Sequence, residues 1–314
     1  MVVHRPGVTL THRAEPAATR LPVLGSVLVV AALSVGLWRL AGMPPFAWVR
    51  VLADGAAICV LGLAAMPYLV DGPRRAALQD RAARPLRAAA MLWFTAEVGR
   101  VLLAAAEAIG IAANHIPHAM VWVYLSRTQA GRAGLVAVAI AAIAVVIVLV
   151  SVRTWHVAVV SAVGLAAGGL SGHVADTVVG MVVIAAHAVT AGLWCGVMIA
   201  MSCTVRCRQE WAELLPRFSR LALTCVAVLL ASGAWGAWSA LEGWRDLLSA
   251  PYGRVLLVKV GLAVVLVGLG WHHRTRWVVA AGTQSARRSH RRAVVEAAVM
   301  GVALVSAVML TLAG

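Results

Sequence analysis

The chain has 314 residues, of which 62% are hydrophobic and only 12% are charged. A soluble domain normally carries about a quarter charged residues, so this composition excludes a soluble globular protein. Several apolar runs reach the roughly 20 residues that a helix needs to cross about 30 Å of hydrocarbon. The sequence therefore predicts an all-α fold, a polytopic bundle of transmembrane helices.

The formal net charge is +15, which in a soluble protein would point to nucleic acid. Here the basic residues lie in short segments between apolar runs, where they set the orientation of the chain and meet anionic headgroups of the lipid bilayer. We therefore expect the bilayer, and no nucleic acid, as partner. The five cysteines show no disulfide-scaffold pattern.

Nine membrane spans are predicted along the chain. Residues 1–21 are predicted to form a cytoplasmic tail, because the apolar run after them is too long for a cleaved signal peptide. The spans lie at about 22–41, 53–70, 88–108, 133–152, 155–172, 178–201, 220–241, 254–272 and 293–313. The stretch 109–132 is short and interrupted by Pro117, so it predicts an interfacial helix on the outer face.

The distribution of basic residues predicts the orientation of these spans. With the N-terminus inside, 19 basic residues fall in cytoplasmic segments and six in outer segments. Cytoplasmic loops carry the excess of Lys and Arg in membrane proteins. The sequence thus predicts N-terminus in and C-terminus out, with an N-terminal transmembrane region at 22–153 and a second transmembrane domain at 154–314.

Four short motifs in the second domain resemble the copper resistance D (CopD) family of bacterial membrane proteins. They are Ser171-Gly172-His173, His187 followed by Trp194 and Gly196, Arg217-Phe218-Ser219-Arg220, and Pro251-Tyr252-Gly253-Arg254 with Lys259 and a last helix holding Glu296. Val197 stands where the family usually has a second glycine. The resemblance implies copper uptake or tolerance at the bacterial plasma (inner) membrane, with the copper ion bound or transported. It leaves room for a periplasmic or extracytoplasmic copper-binding protein as a partner.

His187 is the strongest candidate for a metal ligand. An ionisable group inside hydrocarbon costs several kcal/mol unless it is paired or hydrated, and such groups usually serve function. His187 lies about ten residues into its predicted span, near the midplane, and a neutral imidazole is a favoured copper ligand. Trp194 falls seven residues later, on the same helix face. The alternative is a histidine that locks helix packing by a hydrogen bond.

Further candidates lie on the predicted outer side. His173 is near the outer end of the fifth span, on the same side as His115 and His118, and together they predict a site that collects copper. His115 and His118 are three residues apart and would share one helix face, unless Pro117 breaks the helix. Met181 precedes His187 by six residues and is a candidate to feed it. The alternatives are solvated histidines and a methionine that fills the core.

A run of sulfur-bearing residues marks the predicted inner side: Cys195, Met198, Met201, Cys203 and Cys207. Soft thiolate and thioether ligands select Cu(I). Cys203 and Cys207 are four residues apart and would face one ion if that stretch were helical. The alternative is ordinary apolar filler. In the third span, Glu97 and Arg100 are three apart and are predicted to pair.

Two functional hypotheses follow from these residues. The first is a copper permease in which outer histidines collect the ion, His187 passes it and inner sulfur receives it. The second is a non-transporting module, either a copper-delivery factor for a respiratory oxidase or a two-histidine b-haem protein. His187 has no histidine partner at its predicted depth, which argues against haem. The chain has no nucleophile–base pair, Walker sequence or dinucleotide fingerprint, so we expect no enzyme.

The predicted topology can be tested with reporter fusions. Because basic residues divide 19 to six toward the predicted cytoplasm, a reporter fused after Gly314 should be active outside. A reporter inserted within 275–290 should be active inside, as should a control insertion within 71–87. Paired phosphatase and fluorescent reporters measure the two sides. Activity of the Gly314 and 275–290 fusions on one side would contradict the nine-span topology.

Overall fold

The structure is a computed structural model that describes residues 47–150, 153–169, 177–240 and 285–313, with isolated positions between 257 and 276. All of the regular structure in these residues is helical, and no strand occurs among them. This confirms the predicted all-α class. The predicted tail at 1–21 and the predicted span at 22–41 lie outside the described residues, and the predicted span at 254–272 does so almost wholly.

Eight α-helices and two 3-10 turns make up the described chain. In order they are α1 (Ala47–Ala65), a 3-10 turn (Met66–Leu69), α2 (Pro73–Ile109), a 3-10 turn (Ala113–His115), α3 (His118–Arg127), α4 (Gln129–Val150), α5 (Thr154–Gly169), α6 (Val178–Thr204), α7 (Arg208–Ala240) and α8 (Ala286–Ala313). Five of them, α1 with its following turn, α2, α4, α6 and α7, are long and apolar enough to cross a membrane. Helix α5 is apolar and shorter, with 16 residues.

Helix α1 lies at the centre of the bundle, packed against α2, α5 and α6. Ala53, Val60, Ala64 and Met66 on this helix and the turn that follows have no exposed surface. Most of its inward residues are alanine or other small side chains, which let neighbouring helices approach closely. Close packing of this kind drives association in lipid, where burial of apolar surface gives no advantage over contact with lipid tails.

Helices α1 and α6 approach each other closely at Gly62 and Gly196. A methyl group added at Gly62 would overlap the backbone of Gly196, and one added at Gly196 would overlap the carbonyl oxygen of Ile58. The two backbones therefore touch directly, and neither position has room for a side chain. This crossing fixes α6 against the central helix.

Helices α2 and α7 extend well beyond their predicted spans. The predicted spans begin at 88 and 220, but the helices begin at Pro73 and Arg208 and run through Pro85 and Pro216. The basic segment 74–87, predicted as a loop, is therefore helical. At 37 residues, α2 is about 55 Å long, which exceeds the ~30 Å hydrocarbon layer.

Ion pairs hold the two extensions together. The guanidinium of Arg81 donates from Nη2 to Glu210 Oε1 at 2.6 Å and from Nη1 to Glu210 Oε2 at 3.0 Å. Arg81 also donates to the carbonyl oxygen of Thr204 at 3.1 Å, while Glu210 accepts from the backbone N–H of Arg206 at 3.0 Å. This bidentate ion pair thus caps the end of α6 and the start of α7. Because it also joins α2 to α7, it explains why α2 and α7 continue past their apolar residues.

The Gly62 crossing predicts a large difference between two glycines of α1. Gly62→Ala should destabilise the protein by about 1–3 kcal/mol, because the added methyl has no space at the contact with α6. Gly55→Ala, on the same helix with nothing near its Cβ position, should be neutral or stabilise by up to about 1 kcal/mol. Unfolding in mixed detergent micelles measures both. Equal stability of the two variants would contradict the crossing.

Candidate metal pathway

His187 lies on α6, next to the apolar helix α7. It is the tenth residue of α6, whose first turn is capped by Thr177 accepting from the N–H of Gly180 at 3.0 Å. At about 1.5 Å per residue this places His187 about 14 Å along the helix, close to half of the ~30 Å hydrocarbon thickness. The helix confirms the spacing along the chain, and the depth of His187 in the membrane stays a prediction.

The imidazole of His187 reaches across to α7. Its Nδ1 lies 2.7 Å from Oγ of Ser232, and that hydroxyl in turn lies 2.6 Å from the carbonyl oxygen of Val228. Two apolar helices, α6 and α7, are therefore joined by a polar contact, in which the His187 side chain is exposed. Ser232 was not predicted from the sequence. The signal that could have indicated it is a hydroxyl in an otherwise apolar run of α7.

Trp194 lies two helical turns below His187 and on the same face of α6. It is 6% exposed, and within the described residues its indole Nε1 has no hydrogen-bond partner. An orphaned buried donor is uncommon in folded proteins. Trp194 thus supplies both an apolar wall and an N–H group on the His187 face of α6.

The inner sulfur run does not form one cluster in the structure. Met198 and Met201 have no exposed surface and pack in the apolar core, whereas Cys203 is exposed and Cys195 and Cys207 are half-buried. Helix α6 ends at Thr204, so Cys203 and Cys207 are not on one continuous helix. The helical condition for their shared ion is therefore not met.

Other cysteines approach this region from neighbouring helices. Cys195 lies within electrostatic range of Cys225 on α7 and of Glu296 on α8. Cys225 and Glu296 are 3% and 5% exposed. Glu296, which belongs to the last of the four sequence motifs, is therefore inside the bundle beside α6. Neither Cys225 nor Glu296 was predicted from the sequence to belong to the metal pathway.

The predicted outer residues are described in part. His115 ends a 3-10 turn and His118 begins α3, with Ile116 and Pro117 between the two elements; both histidines are exposed. They are thus not on one helix face. Met181 is exposed in the first turns of α6, and His173 lies outside the described residues. Among the residues that the structure describes, no three His, Cys, Asp or Glu side chains converge as a metal site.

A second polar group lies between α1 and α2. Arg100 Nε donates to Glu97 Oε2 at 2.7 Å, which confirms the predicted pair, and Arg50 lies 3.8 Å from Asp54 on α1. Asp54 is within electrostatic range of both Glu97 and Arg100. The negative charges of the two carboxylates are therefore balanced by the positive charges of the two guanidinium groups. Because these charges are mutually compensated, we assign the group to helix packing.

An apolar helical bundle with a histidine at mid-depth defines a membrane protein with a candidate cation pathway. The family model for copper resistance protein D matches residues 212–310. The model for the copper resistance protein D-like N-terminal domain matches residues 40–181, which include the first of the four sequence motifs. The two matches together cover about three quarters of the chain. The chain belongs to the copper resistance protein D family.

One curated relative agrees with this assignment. The copper transport protein CutJ of Bacillus subtilis is 32% identical over 120 residues, which cover 35% of this chain and 22% of that protein. The chain thus spans about a fifth of the length of the relative that it matches. No solved structure matches the chain.

Proposed function

We propose that this protein moves copper across the bacterial plasma membrane, along a path between α6 and α7 in which His187 is the central ligand. It carries out no chemical reaction of its own. The observation that supports this best is the His187–Ser232 contact of 2.7 Å between α6 and α7, in a chain whose family is named for copper resistance. Copper handling is favoured over the haem alternative by the same family matches.

The physical basis of the proposal is the cost of dehydrating a cation. A bare ion in an apolar medium loses tens of kcal/mol of solvation, so a path across the bilayer needs ligands that replace water. An imidazole is such a ligand for copper. His187 occupies the depth at which water is scarcest, where a replacement ligand has the greatest effect on the barrier.

The two ends of the path are part of the same proposal. On the outer side His115, His118 and His173 collect the ion, with Met181 on the way to His187. An extracytoplasmic copper-binding protein is the proposed donor. On the inner side Cys195, Cys203 and Cys207 receive copper in turn. Cys207 lines a cavity of about 120 Å³ together with Arg81 and Glu210.

Replacement of His187 tests the path directly. His187→Gln keeps a polar, hydrogen-bonding side chain and removes the imidazole ligand, so copper uptake should fall about tenfold or more while membrane expression stays normal. His156→Gln, on α5 and outside the proposed path, is the matched control. Uptake is measured in proteoliposomes that contain only this protein. Uptake by His187→Gln at the parent rate would show that His187 is a packing residue.

The outer histidines predict a different dependence on concentration. If His115, His118 and His173 collect copper, replacing all three with Gln should slow uptake at low external copper and have little effect at high copper. The reason is that a collecting site changes how often copper occupies the entrance of the path and leaves the rates of the later steps unchanged. Initial rates of uptake over a range of copper concentrations show whether the effect is confined to low copper. A slower rate at saturating copper would contradict a collecting role.

A further inference from the structure

Ser232 makes three short contacts through a single oxygen. Its Oγ lies 2.7 Å from His187 Nδ1, 2.6 Å from the carbonyl oxygen of Val228 and 3.2 Å from that of Leu229. A serine hydroxyl has one proton to donate and lone pairs with which to accept. The positions of the neighbouring atoms therefore decide where that proton is.

The proton belongs on the side of the helix carbonyl. Two oxygens 2.6 Å apart repel unless a proton lies between them, and O–H···O bonds have this length. The serine hydroxyl thus donates to Val228, as helical serines commonly do to the carbonyl four residues earlier. Its lone pair is left facing His187, so the short contact requires His187 Nδ1 to carry a proton and to donate it.

We propose that Ser232 is a positioning residue that holds neutral His187 in the Nδ1–H tautomer and so makes Nε2 the nitrogen that binds copper. In the neutral ring one nitrogen carries the proton and the other the lone pair. Metal-binding histidines are commonly fixed in this way by a hydrogen bond from the second nitrogen. This inference rests on the proposed function, because it names the ligand atom of the same pathway.

A second serine of α7 offers a comparison with Ser232. Ser239, seven residues later on the same helix, also donates to a helix carbonyl, that of Gly236 at 3.1 Å. The hydrogen bonds of the described residues give it no histidine partner. Ser239→Ala is therefore a matched control, since it removes a hydroxyl of the same kind from the same helix. Ser232→Thr keeps the hydroxyl and should keep the function.

The tautomer is measured by nitrogen NMR on the full chain labelled with ¹⁵N-histidine in lipid nanodiscs. The His187 signals are assigned by their loss in His187→Gln. The parent, Ser239→Ala and Ser232→Thr should show His187 protonated at Nδ1, whereas Ser232→Ala should show a mixture or the Nε2–H form. Protonation at Nε2 in the parent would overturn the proposal, even if Ser232→Ala failed to fold.

Copper affinity completes the test. In competition with a chromogenic Cu(I) chelator, Ser232→Ala should bind Cu(I) about 10- to 100-fold more weakly, with Ser232→Thr and Ser239→Ala close to the parent. A changed tautomer with unchanged affinity would overturn the role of Ser232. If His187→Gln keeps both affinity and uptake, the proposed function fails. If His187→Gln loses both but Ser232→Ala keeps the parent tautomer, only the positioning role fails.

Discussion

The direct contact between the backbones of α1 and α6 at Gly62 and Gly196 is the constraint on which the candidate pathway depends. It fixes the rotation of α6 as well as its distance from α1. Gly192, one turn earlier, also faces α1, since a Cβ there would lie 3.5 Å from Ile58 and Leu61. His187 is nine residues before Gly196, which at about 100° per residue is half a turn away. The glycine face therefore turns the histidine away from α1 and toward Ser232 on α7.

Helix α6 thus has two faces with separate roles. The glycine face gives close packing, which supplies the van der Waals attraction that holds helices together in lipid. The opposite face carries His187 and Trp194. A larger residue at Gly196 would push α6 away from α1 and change the separation between His187 and Ser232, although Gly196 is far from both. The packing glycine is consequently part of the geometry of the pathway.

The parts of the fold that depend on hydropathy could be predicted from the sequence, and those that depend on partner helices could not. The apolar runs that became α4 and α6 were located to within a few residues. The starts of α2 and α7 were missed because Arg81 and Glu210 stabilise helix outside the apolar region, and their pairing spans 129 residues of sequence. Hydropathy contains no information about such a pair.

The same distinction applies to the candidate site. The shared face of His187 and Trp194 follows from their spacing along one helix, so the sequence was sufficient to predict it. The contact with Ser232 depends on how α6 and α7 pack. In the sulfur run, spacing alone was misleading. The spacing of Cys203 and Cys207 suggested one helix face, but α6 ends at Thr204. Arg81 and Glu210 cap the turn into α7 at this point.

Most of the free-energy cost of moving an ion across the membrane must be offset by the ligands that replace its water. A potential of 100 mV, negative inside, favours the entry of a monovalent cation by about 2.3 kcal/mol, whereas its dehydration in an apolar medium costs tens of kcal/mol. The potential can therefore set the direction of movement, but it cannot replace solvation. One imidazole supplies one ligand, so copper at His187 needs further donors at the same depth. In the proposed tautomer, Nε2 is the atom around which those donors must be arranged.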